Sequence, residues 1–251
     1  VKSVEDRFYP ERAAGGFSHT DGTIAFYVRV EALLQPEMTA LDFGAGPGHS
    51  IAGDQIPWRR RLRQLKGKCR RAIALDVDPR VQDNPYFDEC HTIAPSGSLP
   101  LADASVDLVV ADCVFEHLDD PAATAAELER VLKPGGWLCV RTPNRWGYIG
   151  IGTNLVPNCW HARVLGRLQP GRRPAEGVYP TRYRLNTRSA FRRHFPEARW
   201  LHAIHTMNNE PAYFGRSVLL WGLMLLVFRL TPAALGATWY AYFQKRPAGA
   251  A

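Results

Sequence analysis

The stretch Leu41-Asp42-Phe43-Gly44-Ala45-Gly46-Pro47-Gly48 constrains this chain more than any other. Leu41 and Phe43 suit the end of a buried strand, and three glycines at alternate positions then strip every Cβ from one edge of a turn. A backbone without Cβ atoms takes positive φ and lets a ligand approach closely. A tight turn with no ligand reads the same in isolation, so the rest of the sequence has to decide. A dinucleotide fingerprint needs glycine where His49 stands, and a phosphate-cradling loop needs a lysine that Gly48-His49-Ser50 lacks. The loop therefore fits a nucleotide-type cofactor without a pyrophosphate.

Further strands follow at regular intervals. Residues 72–75 read as a buried strand ending in Asp76-Val77-Asp78-Pro79. A carboxylate at that strand end can accept hydrogen bonds from a pair of ribose hydroxyls. Asp78 suits the cap of the next turn. Residues 90–93 and 106–111 read as a third and fourth strand, the latter followed by Asp112-Cys113-Val114-Phe115-Glu116-His117-Leu118-Asp119-Asp120-Pro121. Asp120 and Pro121 suit the cap and first residue of a helix running to about Leu132. Lys133-Pro134-Gly135-Gly136 should stop it, and 137–142 reads as a fifth strand. Strands alternating with helices predict an α/β fold, with ligands at the carboxyl ends of the strands.

Four stations resemble, in order, class I S-adenosylmethionine (SAM)-dependent methyltransferases of the small-molecule, ubiquinone-biosynthesis-like group (methyltransferase type 11). They are Leu-Asp-x-Gly-x-Gly-x-Gly at 41–48, Asp76-Val77-Asp78, Glu116-His117-x-x-Asp-Pro and Leu132-Lys133-Pro134-Gly135-Gly136. The resemblance covers roughly two-fifths of the chain well. It implies a Rossmann-like, seven-stranded, mostly parallel sheet with helices on both faces and an antiparallel last strand. It also implies SAM as cofactor. Asp42, Gly44, Ala45, Gly46 and Gly48 then border the methionine end, Asp76 and Val77 the ribose side, and Asp112 and Cys113 the segment beside it. The family's adenine-contacting acid is replaced here by Pro95 and Ser96, which leaves Ser96 as the polar side chain at that place. Glu116 and His117 become the catalytic candidates, and a structural contact of His117 to a neighbouring loop carries equal weight. No metal-binding motif is visible.

Three regions are expected: 1–36 as an N-terminal lid, 37–143 as the cofactor-binding core, and 144–251 as an acceptor-side insertion with the last strands. In the first, 24–34 reads as a helix, while Phe17, His19, Tyr27 and Arg29 suit either a lid or ordinary core and surface. Residues 49–56 read as irregular, delaying the helix to 57–66, closed by Gly67. Its arginine face reads as solvated in preference to an anion site. In the last region, 154–169 reads as one or two short helices, 169–174 as a loop and 179–185 as an aromatic-basic run. Asn186 suits the cap of a helix over 187–194. Ten arginines against two acids between Arg163 and Arg199 suit either an anion-gripping acceptor wall or a basic surface. Tyr179, Tyr183, His205 and Glu210 join His19 as acceptor-side candidates. Strands over 200–206 and 238–245 flank an apolar helix at 217–230, an insertion in the last hairpin. Its eleven-residue apolar run is too short to span a bilayer, which needs about 20. A buried helix, a homodimer contact and a peripheral membrane contact remain open for it.

A net charge of +7 points to an anionic partner. Five cysteines without C-x-x-C, and no apolar run after a basic start, suit reduced thiols and no signal peptide. The expected location is cytoplasmic, or peripheral at the inner face of the membrane. The expected function is SAM-dependent methylation, by O-methylation, of a small-molecule, glycan or lipid-linked acceptor, with an anionic acceptor among the options. An RNA methyltransferase and a non-catalytic binding protein on the same fold are the alternatives. Nucleic acid is the less favoured partner, because no RNA-binding module and no Asn/Asp-Pro-Pro-Tyr motif is present.

Overall fold

Strand β1 (Thr39–Phe43) is buried along its whole length, and it carries the glycine loop on its carboxyl end. The structure is a computed structural model that describes residues 3–94, 96–155, 180–211 and 217–247. Around β1 lie β2 (Arg71–Asp76), β3 (Glu89–Thr92), β4 (Val106–Asp112), β5 (Leu132–Pro143), β6 (Trp200–Met207) and β7 (Thr238–Lys245). They form one seven-stranded sheet in the order β3-β2-β1-β4-β5-β7-β6. Strands β1 to β5 are parallel, and β7 runs antiparallel between β5 and β6. This is the expected Rossmann-like sheet. The strand order reverses between β1 and β4, so the glycine loop sits at the topological switch point, where open α/β sheets bind ligands.

The α-helices among the described residues are α1 (Val4–Phe8), α2 (Gly22–Leu33), α3 (His49–Ala52), α4 (Pro57–Arg63), α5 (Pro121–Val131), α6 (Tyr148–Leu155), α7 (Arg188–His194) and α8 (Val218–Leu230). They cover both faces of the sheet. Successive strand residues point to opposite faces. Leu41, Phe43, Ile73 and Leu75 therefore pack with Leu128 of α5 and Phe191 of α7. Ala40, Ala72 and Ala74 face Phe26 and Val30 of α2 and Leu62 of α4. Small alanines on that side let the helices sit close to the sheet.

Several elements depart from expectation. Helix α3 begins immediately after Gly48 and lasts one turn, where irregular chain was expected. Helix α4 ends at Arg63, because Gln64 turns extended and Leu65 is drawn into the core; Gly67 lies beyond it in a turn. The run Lys133-Pro134-Gly135-Gly136 does not separate helix from strand. It is an irregularity inside β5, across which the pairing moves from Val106–Leu132 to Leu108–Trp137. Thr187, not Asn186, caps α7, its hydroxyl accepting the Ala190 N–H at 3.1 Å. Helix α6 starts at Tyr148; most of the helical stretch expected over 154–169, the loop at 169–174, and Tyr179 lie outside the described residues. The apolar helix α8 does fall between β6 and β7, and no helix among the described residues is long and apolar enough to cross a membrane.

Candidate active site

Gly44 and Gly46 hold φ of +84° and +57°, which turns the loop back across the end of β2. The Gly44 and Ala45 N–H groups both donate to the Leu75 carbonyl, at 2.7 and 3.2 Å. A Cβ on Gly44 would lie 2.3 Å from Cγ2 of Val114, in the segment after β4. On Gly46 the nearest atom to an added Cβ would be Asp76 Oδ2 at 3.9 Å, so this edge faces open space. The Gly46 N–H donates to Asp76 Oδ2 at 2.7 Å, and the Asp78 N–H to Asp76 Oδ1 at 2.8 Å. Each Asp76 oxygen keeps acceptor capacity beyond its backbone bond. Val77, the next residue, is 60% exposed despite being apolar. Asn84 completes the cradle: its Nδ2 donates to the Gly46 carbonyl at 2.8 Å, and its Oδ1 accepts the Tyr86 N–H. Gly48, which caps α3, approaches the same Asn84 side chain.

Asp42 is only 8% exposed, yet its carboxylate makes no hydrogen bond among the described residues. Burial, with the Asp112 carboxylate close by, pushes its carboxyl up to about 7. Asp112 has the opposite fate. Burial pushes its carboxyl up, but Arg141 more than offsets this and holds it below the ordinary carboxylate range. The Arg141 guanidinium donates to both Asp112 oxygens, at 2.6 and 2.8 Å, and its third nitrogen reaches Thr23 Oγ1 at 2.8 Å. Asp112 and Arg141 are direct register partners on β4 and β5. The Tyr27 hydroxyl also donates to Asp112, at 3.2 Å, so Tyr27 belongs to the wall behind the loop. Cys113 follows at φ +60° with its side chain exposed. Ser96 stands in an exposed turn, where its hydroxyl accepts the Ser98 N–H at 3.4 Å. Among the described residues no hydrogen bond joins Ser96 to the glycine loop or Asp76.

Glu116 and His117 lie in a short helical turn, Phe115–His117, after β4. Glu116 is buried, and its Oε2 accepts the Thr142 hydroxyl at 2.8 Å; burial raises its carboxyl. Thr142 in turn accepts from Asn186 Nδ2 at 2.6 Å. His117 Nδ1 lies 3.1 Å from the Pro180 carbonyl, and its Nε2 lies 3.9 Å from Glu116 Oε1. The chain after Pro180 straps this turn down: the Arg182 and Tyr183 N–H groups both donate to the Glu116 carbonyl. Arg182 also pairs with Asp119 at 2.7 Å.

The N-terminal segment meets the carboxyl end of the sheet, with Thr23 and Tyr27 hydrogen-bonded to Arg141 and Asp112. Asp21 caps α2, and Arg59 ties it to Asp54, with contacts of 2.5 and 2.8 Å. The arginines of α4 are therefore partly spoken for, since Arg63 also reaches Ser50 and Asp54. Phe17 packs on Trp58, His19 pairs with Glu11, and Arg29 stacks on Tyr242. Between this segment and α8 lies a cavity of ≈ 320 Å³, lined by Phe8, Tyr9, His19, Asn208, Leu225 and Phe228 among others. Asn208 follows the end of β6, which runs parallel to β5, so the cavity opens at the ligand-binding end. Asn84, Arg141 and Thr142 were not singled out from the sequence, and Asn186 only as a helix cap. Arg141 stands out in the sequence as a cation in a largely apolar strand.

Residues 41–140 match the family described as a methyltransferase domain. A "probable S-adenosylmethionine-dependent methyltransferase" of Mycobacterium tuberculosis strain H37Rv is 48% identical over 138 residues, 53% of this chain and 46% of that relative. Residues 41–140 thus carry a methyltransferase domain, and the curated proteins similar to the chain include probable SAM-dependent methyltransferases. A "probable" SAM-dependent methyltransferase of Mycolicibacterium smegmatis is 42% identical over 102 residues, 39% of this chain and 38% of the relative. The chain thus spans less than half the length of these curated relatives. A solved SAM-dependent methyltransferase of Thermotoga maritima shares the fold, with a TM-score of 0.53 at 16% identity over 97% of this chain and 99% of that one. The residues of this methyltransferase domain fit the cofactor. Asp42 is a buried acid with no hydrogen bond among the described residues, the Gly46 edge is open, and Asp76 is oriented by two backbone N–H groups.

Proposed function

We propose that the chain transfers the methyl group of SAM to an oxygen of a small-molecule acceptor. The observation that carries this reading is the pairing of a buried Asp42, without a hydrogen bond among the described residues, with an Asp76 fixed by the glycine loop itself. One acid suits the cationic methionine end of the cofactor; the other suits a ribose hydroxyl pair. The exposed Val77 side chain offers an apolar surface for the base, and Ser96 the nearest polar group in sequence that replaces the missing acid. SAM supplies an activated methyl carbon on a sulfonium leaving group.

What remains for the chain is to position the acceptor and handle its proton. Positioning alone accounts for a large part of such a rate enhancement. The cavity between the N-terminal segment and α8 is near the lower end of the size range of small-molecule sites. A hydroxyl acceptor must lose a proton, and His117 is the group for it. A carbonyl only accepts, so His117 Nδ1 carries the hydrogen toward Pro180, and Nε2 is the basic nitrogen of the neutral ring. Glu116 Oε1, 3.9 Å from Nε2, favours the imidazolium that forms. Cys113 and Asp112 border the same crevice, with Asp112 committed to Arg141.

Calorimetric titration with SAM, followed by a search for a methyl-labelled product after incubation with metabolite extract, tests this reading. Saturable binding and a labelled small molecule are expected. An absence of binding at millimolar SAM would overturn it.

A further inference from the structure

Helix α8 shows apolar residues to both sides. Inward, Trp221 is buried against Phe8 and Tyr9, and Leu225 and Phe228 line the ≈ 320 Å³ cavity. Outward, Leu219, Leu220, Leu223, Leu226, Val227 and Leu230 are between 47% and 80% exposed, apart from Val227 at 42%. These positions recur at helical spacing along one face. Scattered exposed leucines need no explanation, but an apolar stripe running the length of a helix marks an interaction surface. The surface continues onto α6, which meets α8 through the Tyr148–Phe228 ring contact; Ile151 on α6 and Trp146 just before it are 47% and 56% exposed.

Charge identifies the partner. Residues 1–143 hold 16 Lys and Arg against 21 Asp and Glu, whereas residues 144–251 hold 15 against three. From Pro211 to the last residue there is no acid at all. The half of the chain that carries the exposed stripe is thus strongly cationic, and the half that carries the cofactor loop is mildly anionic. An apolar helix face within a cationic stretch of sequence, with an exposed tryptophan beside it, suits a bilayer interface bearing anionic headgroups. At 13 residues α8 would lie in that interface, since it is too short to cross.

We infer that the outer face of α8 docks this protein on an anionic lipid bilayer, placing the cavity on the helix's inner side next to the membrane surface. This goes beyond the methyl-transfer reading and does not depend on it. The test is co-sedimentation with vesicles of phosphatidylcholine alone and with about 30% phosphatidylglycerol added. The protein should partition to the anionic vesicles roughly tenfold or more above the neutral ones, and less at about 1 M salt. The Leu223→Glu/Leu226→Glu variant should lose that binding by roughly tenfold or more. Both substitutions are at exposed positions, so the variant should keep its circular-dichroism melt and its SAM affinity, which reads the loop separately. No vesicle binding, equal binding to both vesicle types, or a variant that binds unchanged overturns the inference. So does a wild-type dimer in analytical ultracentrifugation that the same variant disperses, because the face would then cover a second copy.

Discussion

Arg141 forks onto Asp112 at 2.6 and 2.8 Å and leaves Asp42, on the adjacent strand, buried with no hydrogen bond among the described residues. Two acids at the mouth of one crevice thus stand in opposite protonation regimes. Asp112 is held as an anion by a partner in the fold; Asp42, with its carboxyl pushed up to about 7, shares its proton with solvent near neutral pH.

Cofactor binding should therefore release a proton near neutral pH. Asp42 titrates at about 7 in the ligand-free chain, and a cationic ligand beside it lowers that value. Affinity for SAM should rise from pH 6 to pH 8. Calorimetry in buffers of different ionisation enthalpy should count a fractional proton released per SAM bound. Identical enthalpies in all buffers would show that Asp42 is not linked to the ligand.

The same residue should oppose folding in the absence of ligand. Its folded-state value lies above the unfolded value of about 3.9. Its contribution is therefore full below about pH 4 and is lost as the pH rises toward 7. Asp42→Asn should stabilise the ligand-free protein at pH 8 by about 1–2 kcal/mol in urea unfolding and weaken SAM binding. A variant that is less stable and binds SAM normally would reverse both assignments.

Gly44 and Val114 can be tested as a pair. Gly44→Ala places a Cβ 2.3 Å from Val114 Cγ2 and adds the strain of a positive φ, costing about 2 kcal/mol or more. Val114→Ala in that background removes the collision but not the φ strain. Thermal denaturation of the two single variants and the double variant should show partial recovery. Strict additivity would mean that the loop and the post-β4 segment do not touch in solution.

The sheet was legible because β1, β2 and β4 are apolar on both faces and each ends at a charged or glycine punctuation mark. Local chemistry also announced Asp78 and Asp120 as caps, accepting the Arg80 N–H and the Ala122 and Ala123 N–H groups. Where two neighbours offer the same chemistry, sequence cannot choose: Asn186 and Thr187 can each cap a helix, and burial beside Thr142 takes Asn186 away from that task. Pro134-Gly135-Gly136 reads as a stop on its own, and only pairing with β4 makes it an irregularity within β5. Asn84 reaches Gly46 across 38 residues of sequence, a contact that exists only once β2 lies beside β1. The site's spacing was thus visible along the chain, while the side chains that brace it were set by long-range contacts.

His117 and Glu116 need a test that separates proton transfer from bracing. His117→Asn keeps a donor near the Pro180 carbonyl but removes the basic Nε2. Glu116→Gln keeps an acceptor for the Thr142 hydroxyl but removes the carboxylate 3.9 Å from Nε2. Both variants should fold and bind SAM like the parent. If His117 accepts the acceptor's proton, kcat in the Asn variant should fall by about 100-fold or more, and the pH profile of kcat should differ from the parent's. Glu116→Gln should lower kcat by roughly tenfold with little change in KM, because the carboxylate acts through the imidazole. Bracing alone would leave kcat and its pH profile unchanged in His117→Asn, whose amide preserves the strap contact. Thr142→Val supplies the converse: it strips the buried Glu116 carboxylate and Asn186 amide of a shared partner, and should cost about 2–3 kcal/mol of stability whatever His117 does.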